Sequence, residues 1–240
     1  MSDAVTPRSS TPSIPKTITI TSNEDESKTA DLVGGLISIA YFESLMSDTL
    51  RATITFTDTG VNNSDNIKES VLEGLPIVGQ ERVVLKFEDN NKVTIGDKPE
   101  LVMYVNKVTP ISDDTRKTQI QLDLVSAEFI RNEKTRITKR YDGKISDHVK
   151  QLLTEGNCIG LKTKKDVSDI DETLNNYNYI GNNKKPFYII NWLSRKSISA
   201  ENQKKGKSAG YFFFETADGY HFKSIDSLFD EEKNPRKRSI

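Results

Sequence analysis

The sequence predicts a β-rich α+β protein: an antiparallel sandwich or barrel, a mixed helical region after it, and an aromatic hairpin near the end. Three observations carry this expectation. Residues 16–126 hold about six short segments that alternate apolar and polar side chains, with polar turns between them. That spacing suits a sandwich or barrel rather than βαβ units. Past Ser126 the apolar spacing becomes helical, and near the end two aromatic segments flank an Asp-Gly pair.

Residues 1–15 are rich in Ser, Thr and Pro and read as a flexible arm. Thr17–Thr21 alternates with period two, the pattern of a half-buried strand. A charged turn, Asn23–Lys28, leads to a second strand at Leu36–Tyr41. Phe42–Ser47 is a short helix or turn, and Leu50–Gly60 a long strand with a glycine stop. Gly60–Asn66 is a polar loop, Ser70–Gly79 a turn-rich connection, and Arg82–Glu88 a strand closed by the Asp89–Lys92 turn. Leu101–Thr109 and Lys117–Val125 pair as a hairpin across Ser112–Thr115.

Ser126 offers an N-cap to a helix over residues 127–133. Ile145–Leu153 places its apolar residues at i, i+4, i+7 and i+8 on one helical face. Residues 162–176 are polar and looped, and Pro186 opens a helix that runs to about Lys196. A charged loop over 199–209 precedes the hairpin Tyr211–Thr216 and Tyr220–Ile225, where Asp218-Gly219 should supply the positive φ of a tight turn. The pattern therefore divides at 1–15, a flexible arm, 16–126, a sandwich or barrel, 127–208, a mixed helical region, and 209–240, the aromatic hairpin and the residues after it.

The net charge of −1 argues against a generally cationic nucleic-acid binder. One cysteine, Cys158, excludes an intrachain disulfide. The N-terminus lacks the basic-then-apolar pattern of a signal peptide, and no apolar run is long enough to span a bilayer. A soluble protein made in the cytoplasm, without membrane insertion, is expected.

Few residues point to chemistry. Cys158, His148 and His221 do not stand at metal-ligand spacing from one another, and each histidine fits a structural place in its helix or strand. Lys205-Gly206-Lys207-Ser208 resembles the end of a phosphate loop, but Glu201 stands where the first glycine belongs. There is no Gly-x-Ser-x-Gly elbow, and no serine has a histidine partner in a recognisable context. Asn62-Asn63-Ser64 is a sequon without a secretory context. The basic run Lys233–Arg238 reads as a solvated end sooner than a phosphate contact. No catalytic, metal or cofactor site is expected, and no cofactor.

The aromatic stripe Tyr211, Phe212, Phe213, Phe214, Tyr220 and Phe222 is too apolar for a free surface hairpin. Tyr211, Phe213, Tyr220 and Phe222 are expected in a core or a subunit interface. So is Trp192, the single tryptophan.

These elements, in order, resemble a known family. Tyr179-Ile180-Gly181-Asn182, Lys185-Pro186-Phe187, Asn191-Trp192-Leu193 and the hairpin from Gly210 to Asp226 are similar to the middle of the baseplate hub subunit of contractile-tailed phages. Ile39–Ser44 with Leu50-Arg51-Ala52, and Leu75–Arg82, resemble that family's first barrel. The resemblance runs over roughly residues 16–230.

It implies a structural virion protein with no enzymatic activity, located in the tail baseplate and assembled in the host cytoplasm. Related hubs occur in type VI secretion and other contractile injection systems. The implied assembly is a homotrimer whose barrels form a pseudo-sixfold ring. That ring adapts the hexameric tail tube to the trimeric central spike, and genomic DNA passes through its lumen without specific binding. Mapped onto the family, 16–126 would be the first β-barrel (tube) domain, 127–208 a mixed α/β insert, and 209–240 the first hairpin of an incomplete second barrel; the family's chains continue beyond the point reached at Ile240, so a split or truncated hub is expected, or one that a second polypeptide completes. Acidic or neutral side chains are expected on the lumen. Two other readings stand beside this one: a phage-tail peptidoglycan-acting enzyme, and a nucleic-acid-binding β-barrel.

Overall fold

The protein was analysed as a computed structural model, which describes residues 14–59, 71–75, 77–88, 94, 100–114, 117–156, 160–200 and 210–230. Cys158, the sequon, the 205–208 loop, the 1–13 arm, the Asp89–Lys92 turn and the basic run at 233–238 lie outside them. The described residues divide into two compact units. The first is built from the residues up to Phe42 and from Arg51 to Ala127. The second is built from Glu43–Leu50 and the residues from Glu128 onward.

Seven strands make the first unit: β1 (Ile14–Thr21), β2 (Thr29–Asp31), β3 (Leu36–Phe42), β4 (Arg51–Asp58), β5 (Arg82–Glu88), β6 (Leu101–Asp114) and β7 (Lys117–Val125). They form one antiparallel sheet in the order β2-β1-β5-β6-β7-β4-β3. β2 and β3 are therefore the two ends of the sheet, yet they are neighbours in sequence. Six interstrand steps of about 4.8 Å would put a flat sheet's ends about 29 Å apart. The link Leu32–Gly35 reaches at most about 17 Å from Asp31 to Leu36, so the sheet must curl. Contacts along the link show that it does. Leu32 N–H donates to Ile18 O of β1 at 2.9 Å, and Gly35 lies so close to β4 that a Cβ there would stand 2.3 Å from Thr57 O.

Alternation fills the inside of the curl. Ile18, Ile20, Ala52, Ile54, Phe56, Val83, Leu85, Met103, Val105, Ile120, Leu122 and Leu124 are all buried, every second residue of their strands. Before β5, the chain turns on Gly79 (φ 113°) and Gln80 (φ 67°). The buried Glu81 carboxylate holds that turn by accepting the N–H groups of Val78 at 2.7 Å and Gly79 at 2.8 Å.

Three features depart from the sequence reading. β2 is an additional strand, too short at three residues to show alternation. β6 continues to Asp114 rather than ending before a Ser112–Thr115 turn, because Pro110, Ser112, Asp113 and Asp114 still pair with β7. Its second half, Asn106–Asp114, runs past β5, which pairs with β6 over Leu101–Tyr104. Polar side chains there hid the strand from a hydrophobic pattern. A short helix, α1 (Val71–Gly74), lies in the connection before β5.

The second unit mixes helices with two small sheets. Its helices are α2 (Ala127–Lys134, whose first residue belongs to the first unit), α3 (Ile145–Thr154), α4 (Pro186–Ser194) and α5 (Ile225–Leu228). The sheets are β8 (Arg140–Tyr141) with β9 (Tyr179–Ile180), and β10 (Tyr211–Glu215) with β11 (Tyr220–Ser224). One core joins them: Ile145, Val149, Leu152 and Leu153 of α3, Phe187, Ile190 and Leu193 of α4, and the hairpin aromatics. The 128–200 segment and the hairpin therefore share a single interior. Neither long helix caps itself. The first-turn N–H of Ser146 in α3 donates to Thr173 Oγ1 at 2.9 Å, and that of Phe187 in α4 to Asn132 Oδ1 at 2.9 Å. Both acceptors satisfy donors that every helix start leaves open. No helix among the described residues is long and apolar enough to cross a membrane.

The link geometry makes a paired prediction. Gly35→Ala should destabilise the protein by about 1–3 kcal/mol, since its methyl group must displace backbone of β4. Gly34→Ala, with nothing within 4 Å of its would-be Cβ, should stay within about 0.5 kcal/mol. Urea unfolding of the two variants checks this, and equal losses would contradict the crowded link.

Candidate functional site

The β10–β11 hairpin organises the polar centre of the second unit. Its register pairs Phe213 with Phe222 and Glu215 with Tyr220. Tyr211, Phe213, Tyr220 and Phe222 are buried in the core. Phe213 stacks on Tyr220 at 5.6 Å, and Phe187 of α4 leans on both rings. Trp192 sits at the margin of this core, partly buried. It meets Tyr177 and Tyr179 edge-on at 5.4 and 5.7 Å, with the Lys196 ammonium 5.2 Å over its ring.

The turn between the strands corrects an expectation. Neither Asp218 nor Gly219 has positive φ. Glycine is required at 219 for a different reason: a Cβ would lie 2.3 Å from Asp166 O. The 166–171 segment runs alongside β11, and its Asp166 carbonyl accepts the N–H of Tyr220 at 2.9 Å. That close approach is what the missing side chain permits.

Next to the turn stand three polar side chains that local sequence context did not bring together. Asp169 Oδ2 is 2.6 Å from His221 Nδ1, and His221 Nε2 is 2.7 Å from Thr216 Oγ1. Lys223 pairs with the same Asp169 carboxylate. Burial pushes Asp169 up, but Lys223 and His221 together hold it below the usual range. With Asp169 ionised, its carboxylate accepts from His221 Nδ1–H, and Nε2 shares the second contact with the Thr216 hydroxyl. Hydroxyl, imidazole and carboxylate thus line up in the order that acyl-transfer sites use.

The surroundings turn this array to another use. The N–H of Ala217, the residue after the hydroxyl, donates to Glu43 Oε1 at 3.0 Å. A developing oxyanion would meet that carboxylate instead of a free donor. The array works as a clasp across the hairpin turn. The signal that could have found it is alternation: His221 stands opposite Phe214, and Thr216, two residues on, shares that face of the hairpin.

The hairpin also holds the segment Glu43–Leu50, which lies between β3 and β4 in sequence. Glu215 Oε2 accepts the N–H of Leu50 at 2.8 Å, Ser47 O accepts the N–H of Glu215 at 3.4 Å, and Asp48 accepts from Asn191 at 2.9 Å. Glu215 is fully buried, and its other oxygen pairs with Lys165. A second buried carboxylate, Glu128, lies 4.0 Å from the same ammonium and accepts from Thr163 at 2.8 Å. Burial pushes Glu215 up, against the pull of Lys165 and the Leu50 N–H. The two carboxylates are enclosed, with one lysine between them.

His148 is buried against Tyr141 and Tyr179, its ring 5.5 Å from each. Its Nε2 lies 3.0 Å from Tyr177 O. Burial pulls its pKa down, and carbonyls of Tyr177 and Gly143 oppose this. Among the described residues no group of three or more His, Cys, Asp or Glu side chains could hold a metal ion.

No family model matches the chain. Among curated proteins, the E3 ubiquitin-protein ligase UPL6 of Arabidopsis thaliana is 33% identical over 91 residues, which is 37% of this chain and 8% of that protein. Among solved structures, the 43 kDa tail protein of prophage MuSo2 from Shewanella oneidensis aligns at a TM-score of 0.53 and 12% identity. The alignment covers 86% of this chain and 54% of that one, so this chain spans about half its length. The E. coli c3393 protein, described as a type VI secretion component with similarity to T4 bacteriophage tail proteins, aligns over 77% of this chain and 40% of its own, at 11% identity and a TM-score of 0.36. The MuSo2 likeness shows a shared fold, one found in a phage tail protein.

Two outcomes test the polar centre. Lys165→Met should cost about 3–5 kcal/mol, because it strands buried carboxylate charge, and adding Glu215→Gln should recover part of the loss in urea titrations. Full additivity of the two changes would show that the charges do not interact. For His148 the folded state disfavours the proton, so its contribution is present above the unfolded pKa near 6.5 and is lost as pH falls below it. Melting temperatures of wild type and His148→Gln should therefore move in the variant's favour between pH 7.5 and 5.5, and a constant difference would refute this.

Proposed function

We propose that the chain is a baseplate hub subunit of a contractile phage tail, acting by surface complementarity without making or breaking bonds. The observation that carries this reading is the shared fold with a prophage tail protein over 86% of the chain. The family resemblance of the sequence supports it, running through the same strands and the same hairpin. In this reading the curled sheet of the first unit is the tube barrel. The barrel interior is filled with side chains, so any channel lies between subunits and not within one.

Three copies form a homotrimeric ring that joins the hexameric tail tube to the trimeric central spike. The β10–β11 hairpin begins a second barrel, and the barrels of the three copies give the pseudo-sixfold ring. Genomic DNA passes through the lumen without specific binding, and the subunit resides in the virion baseplate after assembly in the host cytoplasm. Trp192, Tyr211, Phe213, Tyr220 and Phe222 set the interior against which that second barrel grows.

Negative-stain electron microscopy of the full chain with the neighbouring spike protein tests the reading. Ring-shaped particles with threefold symmetry and an open centre are expected. Particles without threefold symmetry would overturn it.

A further inference from the structure

The second unit encloses two carboxylates and one ammonium. Glu128 is 3% exposed and Glu215 1%, and Lys165 lies between them. The lysine takes one side: it pairs directly with Glu215 and stands 4.0 Å from Glu128 Oε2. Among the described residues, buried Glu128 Oε2 has no hydrogen-bond partner. The other oxygen of that carboxylate is served: Oε1 accepts the Thr163 hydroxyl at 2.8 Å and lies 3.6 Å from Arg131 Nη1. A buried acceptor without a donor costs free energy until a donor reaches it. A shift of about 1 Å would bring the Lys165 ammonium into hydrogen-bond range. The ammonium thus has two seats, one taken and one within reach.

The seat it takes bears on a piece of chain. Glu215 Oε2 accepts the N–H of Leu50 at 2.8 Å, and the N–H of Glu215 donates to Ser47 O at 3.4 Å. These contacts hold the end of the Glu43–Leu50 segment against the hairpin. The same segment presents Leu45 and Met46, 47% and 81% exposed, on a turn closed by the Ser47 N–H to Ser44 O at 3.0 Å. Its own carboxylates have other partners. Glu43 accepts the N–H of Ala217 at 3.0 Å, and Asp48 accepts from Asn191 at 2.9 Å. On the other face of the hairpin, Asp169 pairs with His221 and Lys223. Facing Glu215 are Lys165, Glu128 and, behind Glu128, Arg131.

We propose that Lys165 is a two-position lever set by protonation of Glu215: at neutral pH it sits on Glu215, and in mild acid it moves to Glu128 while the grip on Leu50 weakens. The enclosed groups carry one negative charge in excess, and a single proton from solvent removes it. Burial pushes the Glu215 carboxyl up, against the pull of Lys165 and the Leu50 N–H, and the Glu128 charge adds to the rise. Once Glu215 is neutral, Glu128 is the stronger seat, and its unserved oxygen receives the ammonium. A neutral carboxyl is a weaker acceptor than a carboxylate, so the Leu50 N–H loses a charge-assisted bond. The folded state favours this proton, so the event adds to overall stability as pH falls through the folded value toward the ordinary 4.5. The loosening is local to the Glu43–Leu50 segment.

Amide hydrogen exchange of the full-length chain, followed by NMR between about pH 7.5 and 4.5 and corrected for intrinsic exchange rates, tests this. Leu152 in α3 reports opening of the whole unit. Protection of Leu50 should fall about fivefold or more relative to Leu152 across that range. Glu215→Gln, which keeps an acceptor but no charge, should hold Leu50 at the low value throughout. Glu128→Gln removes the like charge and the second seat, and should move the Leu50 change to lower pH. Leu50 protection that does not fall relative to Leu152 overturns the lever. So does a change that persists in Glu215→Gln, or one that Glu128→Gln leaves in place. None of these outcomes depends on ring assembly, so the lever and the hub reading are tested separately.

Discussion

Four residues set the architecture of the first unit. The link Leu32–Gly35 ties together strands that end a seven-stranded sheet, and its reach is shorter than a flat sheet allows. Curvature follows from chain length before any side chain is considered. The curl brings the buried residues of six of the seven strands into one interior, which hydrophobic burial fills. Among the described residues, the closing contact is a loop crossing from β1 to β4, not a ladder of hydrogen bonds.

The second unit depends on polar contacts that are long in sequence. Its two main helices take their N-terminal partners from Thr173 and Asn132. Its hairpin is clasped by Asp169 and His221, and it holds the Glu43–Leu50 segment through Glu215. Such contacts form once the aromatic interior has brought distant segments together. The Glu215–Lys165–Glu128 cluster is enclosed by that interior, so its charges interact strongly.

The polar arrays found here serve folding: the one nearest to a catalytic order has its neighbouring N–H occupied by Glu43.

The sequence by itself determined the fold class, most strand positions, the helices at 145–154 and 186–194, and the aromatic hairpin. These are readable because alternation and helical periodicity report a single buried face, which is a local property. Tertiary structure alone decided the rest. Gly219 looked like a turn glycine, yet it is there because Asp166 O passes 2.3 Å from where a Cβ would be. β6 ran on through polar residues because β7 was there to pair with it. His221 read as an ordinary strand residue, and only the fold brought Asp169 to it from 52 residues away. Close approach, pairing and capping all depend on which distant segment arrives. A one-dimensional pattern records the face a residue turns inward, but not the partner waiting there.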